Sequence, residues 1–296
     1  MREEIKPDVR AFVKAHGRPP GLGIVLVGDD PASHVYVRNK LKAAEDVGFY
    51  ADCTRLAASS TLDDVLREVD RLNKSEQHDG ILVQSPLPKS MGPGAAQKVF
   101  DTIAVGKDVD GFAAESVGLL VQNRPQLVAC TPAGVIEMLV REKIPMAGTR
   151  AVVLGRSDIV GKPMALLLLH KDATVTICHS RTPDLAATCR EADILVAAVG
   201  RPGFVTPEFV KPGATVIDVG INEVTDPAVA TALFPEGHAR LGMFKTKGTM
   251  LVGDVHPSVD QVAGALTPVP RGVGPLTITM LMKNTLKAAQ MSVQAR

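Results

Sequence analysis

Short apolar runs, each closed by a turn and followed by a helix-forming stretch, recur along this chain and leave it few folds to adopt. Gly21–Val27 is one such run, Tyr50–Leu56 a more mixed one, and Gly80–Val83 a third that Pro86 and Pro88 halt. Between them lie helix signals. Asp30 is a natural N-cap with Pro31 as the first helical residue and Gly48 as the stop, and Thr61-Leu62-Asp63-Asp64 opens a second helix that runs to Asn73. A new helix is expected at Cys130-Thr131-Pro132-Ala133-Gly134, with Thr131 as its N-cap. The pattern then restarts, with strands at Ala151–Leu154, Ala173–Cys178, Ile194–Ala198 and Thr215–Val219 and helices between the first three. Such alternation demands parallel strands covered by helices.

A chain of 296 residues accommodates two domains of this kind. After Gly264 a Pro/Gly-rich loop precedes an amphipathic helix, roughly Leu276 to Gln290, whose apolar stripe must be buried somewhere. The first domain is the expected place. The predicted organisation is α/β with two domains: an N-terminal α/β domain of residues 1–127 and 265–296, completed by the C-terminal helix, and a dinucleotide-binding domain of residues 128–264.

Charge and composition narrow the partners. A net charge of +1 without a basic cluster, and with few aromatics, argues against nucleic acid. No apolar run approaches a membrane span, and the charged start Met1–Lys6 lacks the apolar core of a signal peptide. Cys53, Cys130, Cys178 and Cys189 show no paired spacing, which suits reduced thiols in a cytoplasm.

The segment Val152–Pro163 runs from a strand through a turn into a helix, where free N–H groups can hold a pyrophosphate. Gly155 and Gly161 fit that role, although Arg156 and Ser157 replace the usual glycine spacing. In an NAD site the next strand ends in a carboxylate for the ribose. Here it ends in Cys178-His179-Ser180-Arg181-Thr182. Arg156, Ser157, Ser180 and Arg181 suit a 2′-phosphate instead, so NADP is the expected cofactor. His179 has no partner ligands nearby in sequence and reads as a lining or surface histidine; no metal is expected. The turns at Val199-Gly200-Arg201 and Gly220-Ile221-Asn222 each follow an apolar strand, at the sheet edge where a nicotinamide would lie.

In the first domain, Tyr36 and Lys40 are one helical turn apart and share a face. With only two tyrosines and no tryptophan in the chain, an aromatic beside a lysine is notable, although a lysine stem packed along a half-buried tyrosine is the simplest reading. The Tyr-x-x-x-Lys spacing of short-chain dehydrogenases does not apply, because there it follows the dinucleotide turn and here it lies far upstream. Gln84 falls at a strand's carboxyl end. Asp108 and Asp110 lie in the turn-forming loop Lys107–Phe112. A self-bonded loop aspartate is the common outcome; the alternative is that Asp110 grips an amide-like heterocycle through two parallel N–H bonds.

Taken in order, Tyr36–Lys40, Val83-Gln84-Ser85-Pro86-Leu87-Pro88, Lys107–Gly111, Gly155-Arg156-Ser157 with Val160, Gly161 and Pro163, and Thr267–Pro270 leading into Gly272–Pro275 resemble the bifunctional methylenetetrahydrofolate dehydrogenase/methenyltetrahydrofolate cyclohydrolase family. The resemblance spans nearly the whole chain. It implies two α/β domains with a cleft between them, commonly in a homodimer. It also implies NADP-dependent oxidation of 5,10-methylenetetrahydrofolate, followed by hydrolysis of the methenyl cation to 10-formyltetrahydrofolate. On matching positions it makes Lys40 the central catalytic residue and Gln84 its hydrogen-bonding partner. Tyr36 would pack on the folate and Asp110 would anchor the pterin. Val83, Ser85, Pro270, Gly272, Val273 and Gly274 would lie along the substrate, and Gly200 and Ile221 would join the cofactor site. Beside a methenyl cation a neutral lysine amine is favoured and can act as a base toward water.

Arg271 stands where this family usually has glycine, and Ser85 replaces a usual apolar residue beside Gln84. The family usually has a short additional N-terminal strand segment before the first helix, so this chain is expected either to have a truncated start or to build its sheet edge differently. Three other readings remain open from sequence: a monofunctional enzyme of this fold, a two-domain dehydrogenase of another small substrate, and an NADP-binding regulatory protein.

Overall fold

The computed structural model describes residues 1–294. The chain divides into two units, one of Met1–Cys130 with the C-terminal residues from Thr277, the other of Thr131–Leu276.

In the first unit, α1 (Arg2–His16) leads to β1 (Gly21–Val27), α2 (Pro31–Val47), β2 (Tyr50–Leu56), α3 (Leu62–Lys74), β3 (Gly80–Val83), α4 (Ala95–Thr102) and α5 (Ala114–Val121). The parallel sheet has the order β2-β1-β3, with Gly21 opposite Tyr50 and Leu22 opposite Gly80. Successive residues of β1 face opposite sides. Leu22, Ile24 and Leu26 pack with Ile5, Val9 and Phe12 of α1, whereas Val25 and Val27 pack with Val65, Val69 and Val99. The first of these clusters also takes Leu281, Met282 and Leu286, so the apolar stripe of the C-terminal helix covers one face of this sheet.

The second unit contains α6 (Cys130–Arg141), β4 (Arg150–Leu154), α7 (Gly161–Leu169), β5 (Thr174–Cys178), α8 (Leu185–Arg190), β6 (Ile194–Ala197), β7 (Thr215–Asp218), β8 (Asn222–Val224), α9 (Pro227–Leu233), α10 (Ala239–Lys247), β9 (Met250–Val252) and β10 (Ala265–Leu266). The five-stranded sheet is parallel, in the order β10-β7-β6-β4-β5. Leu139, Met164 and Leu168 cover one face and Cys178, Cys189 and Val205 belong to the apolar cluster on the other. An antiparallel β8–β9 pair and the two short helices α9 and α10 form an apolar cluster of their own, which the sequence pattern had not indicated. The last helix, α11 (Val273–Gln294), begins in the second unit and continues in the first.

Three boundaries differ from expectation. The first unit runs to Cys130 rather than to residue 127, so 128–130 stay with it. Residues 265–276 stay with the second unit rather than returning to the first, because β10 pairs with β7 and Val273 packs with Val135, Met164 and Ile217. Helix α6 starts at Cys130, so Thr131 lies within it and is not its N-cap. The helix thus begins two residues before the expected first position, Pro132; Cys130 is buried there and its thiol donates to the Val109 carbonyl at 3.2 Å.

Candidate active site

The Asp30 carboxylate accepts the Ser33 N–H at 2.8 Å and so starts α2. One turn of that helix separates Tyr36, 39% exposed, from the half-buried Lys40. Gln84 leaves β3 with its backbone N–H donating to Val25 O at 2.9 Å, which extends the sheet pairing by one residue. Its side-chain Nε2 donates to Ser85 O at 2.8 Å, which turns Oε1 toward Lys40; Lys40 Nζ donates to that oxygen at 3.0 Å. The amide thus fixes the direction of the amine without adding charge. Val83 buries its side chain with Val65 and Phe100, and Ser85 precedes a cis proline.

A parallel bridge pairs Asp108 with Ile81, placing the Asp108–Asp110 segment along β3. Asp108 is the self-bonded aspartate of the loop. Its carboxylate accepts the N–H groups of Gly111 at 3.0 Å and Ala113 at 2.9 Å. Gly111, at φ +67, needs glycine on a second count, since a Cβ would lie 2.6 Å from Ala129 N. Asp110 is left for other work. Burial pushes its carboxyl above the usual range; the Lys40 charge pulls it down, the Asp108 charge pushes it up, and the neighbouring Cys130 thiol pulls it down. Burial and the Asp110 charge in turn hold the Cys130 thiol well above its ordinary value. The structure therefore brings Lys40, Gln84 and Asp110 together in the first unit, with Cys130 beside them.

Asn284 completes this arrangement from α11. Its amide donates to Val109 O and to Val128 O, each at 2.8 Å. Sequence reasoning missed both Cys130 and Asn284 as neighbours of Asp110. A polar residue in the apolar stripe of the last helix was the only signal.

In the second unit, Gly155 N–H donates to Cys178 O at 2.9 Å and Ala198 N–H to Leu154 O at 2.8 Å, which aligns the carboxyl ends of β5, β4 and β6. Gly155 has φ +129, and a Cβ there would lie 2.2 Å from Ala198 O; a Cβ at Gly161 would lie 2.3 Å from Gly155 O. This turn is built from backbone against backbone and admits no side chain at either position. Ser157 Oγ accepts the N–H groups of Val160 at 3.2 Å and Gly161 at 3.3 Å, at the start of α7. Arg156, Ser157, Ser180 and Arg181 are exposed, and neither guanidinium pairs with a side chain among the described residues. The donor set and the tight glycine turn fit a dinucleotide carrying an additional phosphate.

Gly200, at φ +66, and the 41%-exposed Ile221 lie in the turns after β6 and β7. Pro270, Gly272, Val273 and Gly274 belong to this unit, where they and Val219–Ile221 line one depression. Arg271 sits there with φ +84, a conformation that favours glycine. Two buried carboxylates, Asp218 and Asp254, lie beneath these turns. Burial pushes Asp218 up to about 7, against the pull of backbone N–H bonds from Val255, Asp254 and Gly220, with the Asp254 charge adding to the rise. Neither Asp218 nor Asp254 carries a motif signal in the sequence. Among the described residues no three His, Cys, Asp or Glu side chains gather as a metal site.

Comparison with known proteins bears on both units. Residues 1–110 match the tetrahydrofolate dehydrogenase/cyclohydrolase catalytic domain, and residues 129–293 the tetrahydrofolate dehydrogenase/cyclohydrolase NAD(P)-binding domain. The chain is 55% identical over 291 residues to the bifunctional protein FolD of Koribacter versatilis, covering 97% of this chain and 94% of that one. Its structure resembles the Trypanosoma brucei methylenetetrahydrofolate dehydrogenase-cyclohydrolase complexed with NADP and an inhibitor, with TM-score 0.87, 39% identity and coverage of 99% and 94% of the two chains. It is also similar to the bifunctional FolD enzyme of Campylobacter jejuni, with TM-score 0.85, 36% identity and coverage of 98% and 95%. With both domains matched in order over nearly its full length, the chain belongs to the tetrahydrofolate dehydrogenase/cyclohydrolase family.

Proposed function

We propose that Lys40, aimed by Gln84, serves as the base of the hydrolytic step in an enzyme that oxidises 5,10-methylenetetrahydrofolate with NADP and then hydrolyses the methenyl product to 10-formyltetrahydrofolate. The observation that carries this reading is the 3.0 Å bond from Lys40 Nζ to an amide oxygen whose orientation is itself fixed by Ser85 O. In the hydrolytic step the Lys40 amine takes a proton from water as its oxygen attacks the methenyl carbon. The C–N bond to the other nitrogen then breaks as that nitrogen takes the proton back from Lys40 and the new hydroxyl releases its own to solvent, which leaves the formyl group on one nitrogen. Gln84 holds the amine in place. A neutral partner suits a site that must accept a cationic substrate.

Tyr36 offers its exposed ring as a platform for the folate, and Asp110 accepts N–H bonds from the pterin. In the first unit the backbone at Val83 and Ser85 borders the substrate; in the second, Pro270, Gly272, Val273 and Gly274 are the candidate substrate-binding residues. Bound NADP would supply the hydride acceptor for oxidation of the methylene carbon. Arg156, Ser157, Ser180 and Arg181 hold its 2′-phosphate; Gly155 permits close approach of its pyrophosphate, and Gly200 and Ile221 lie toward its nicotinamide. The protein's part in oxidation is chiefly positioning, since the folate nitrogen lone pair drives hydride departure.

The 10-formyl product suits formyl-transfer chemistry such as purine biosynthesis. A homodimer is the assembly implied by the family resemblance, and a cytoplasmic setting is supported by free Cys53, Cys130, Cys178 and Cys189. No helix among the described residues is long and apolar enough to cross a membrane. The test is to give the purified protein 5,10-methylenetetrahydrofolate with NADP or NAD and to follow reduced cofactor and methenyl consumption separately. Both steps are expected, with NADP preferred. Absence of turnover would overturn the reading.

A further inference from the structure

We propose that Asp254 is a positioning residue for the reactive end of the cofactor, clamping the backbone turn Val199–Arg201 from below; this rests on the assignment of the nicotinamide to that edge of the sheet. Asp254 is fully buried. Its Oδ2 accepts the N–H groups of Val199 at 2.6 Å and Gly200 at 2.9 Å, and its Oδ1 accepts Arg201 N–H at 2.8 Å and Asn222 Nδ2 at 2.9 Å. Successive N–H groups converging on one point form a concavity that ordinarily takes an anion. Here the chain supplies the anion itself. The turn is thereby neutralised, so it does not compete for the cofactor's phosphates, and its backbone is held to one shape.

Asp254 is located in turn by Asp218. Asp218 Oδ1 accepts the N–H groups of Asp254 at 2.8 Å and Gly220 at 3.0 Å, Oδ2 accepts Val255 N–H at 3.0 Å, and the Asp218 N–H donates to Thr267 Oγ1 at 2.8 Å. The packing leaves no slack. A Cβ at Gly253 would lie 1.7 Å from Asp218 Oδ2, and one at Gly220 would lie 2.4 Å from Asp254 Oδ1. The two carboxylates therefore join the turns after β6 and β7 to the strand start at Asn222 and the loop after β9. Arg201 is drawn away from these acids, its guanidinium lying over the Phe204 ring at 4.1 Å. The acids thus bond to the turn's backbone and to Asn222 rather than to the Arg201 side chain.

The bifunctional chemistry provides an internal control, because hydrolysis of the methenyl substrate consumes water and no NADP. Asp254→Asn keeps the shape of the side chain but removes its charge and sets an NH2 group against N–H donors. In the full-length protein we expect the KM for NADP to rise by about tenfold or more. The ratio of dehydrogenase to cyclohydrolase kcat/KM should fall by a similar factor. An unchanged KM for NADP would overturn the proposal. So would a parallel loss of both activities, which is the mark of a merely structural role.

Asn222→Ala removes one donor to Asp254 and serves if the aspartate variant fails to fold. It should raise the KM for NADP by about threefold; no change would again overturn the proposal. A wild-type protein that oxidises the folate with NADP, alongside variants that match it, removes Asp254 from this role while the activity stands. A wild-type protein without NADP-dependent turnover overturns both readings.

Discussion

Asn284, on the last helix, donates its side-chain amide to the carbonyl of Val109, 2.8 Å away in space and 175 residues away in sequence. A second bond of the same length reaches Val128 O. The C-terminal helix therefore does more than bury its apolar stripe. It secures the backbone beside Asp110 and Cys130. Asn284→Ala leaves Val128 O short of a donor and Val109 O with the Cys130 thiol alone, and should cost about 1–3 kcal/mol of stability. Because Asp110 loses its support, the KM for the folate should rise more than kcat falls. Thermal melting and steady-state kinetics check the two parts, and an unchanged folate KM would separate Asn284 from the site.

Asp110 gives the site a pH signature. Burial raises its carboxyl above the usual range, with Lys40 offsetting part of that rise. The ionised form is the one that accepts N–H bonds, so protonation on acidification should weaken folate binding. The folate KM is expected to climb as pH falls, starting above about 4, the range of an exposed aspartate. Asp110→Asn should abolish that limb and raise the KM at neutral pH. A wild-type KM that stays flat through this range contradicts the assignment.

Much of this fold is legible in local chemistry. Gly21–Val27, Tyr50–Leu56 and Gly80–Val83 are strands at the residues expected, because apolar runs bounded by turn formers have few alternatives. Asp30 and Thr61 cap their helices as their side chains predict. The exit of the chain from the second unit was not legible. Ala265 and Leu266 are too short a run to announce a strand, and only pairing with Thr215 and Val216 makes them one. The site divides in the same way. Lys40 and Gln84 carry motif signals, whereas Asp254 and Asn284 work through backbone groups distant in sequence, and such bonds leave no periodicity.

Arg156 lies exposed beside the Gly155 turn. If its guanidinium meets the 2′-phosphate, Arg156→Ala should raise the KM for NADP about tenfold or more, the scale of a lost charged hydrogen bond. The KM for NAD, which lacks that phosphate, should change little. Equal losses for both cofactors would place the 2′-phosphate elsewhere.

Arg271 holds φ +84 in the loop before α11. A left-handed backbone costs a residue with a Cβ about 1–2 kcal/mol, a penalty glycine avoids. Part of the gain is returned through the freer unfolded chain. Arg271→Gly should therefore raise stability by about 1 kcal/mol or less, read as a small upward shift in Tm. A lower Tm would show that the arginine side chain contributes packing that outweighs the backbone cost.

Lys40→Met keeps an unbranched chain while removing the amine, and so tests whether Lys40 is the base of the hydrolytic step. The measurement is consumption of 5,10-methenyltetrahydrofolate by the purified variant, set against its NADP-dependent oxidation of the methylene substrate. We expect cyclohydrolase activity to fall by about a hundredfold or more, the usual scale for removing a general base, with a smaller loss of the dehydrogenase. Methenyl consumption at the wild-type rate would contradict the account.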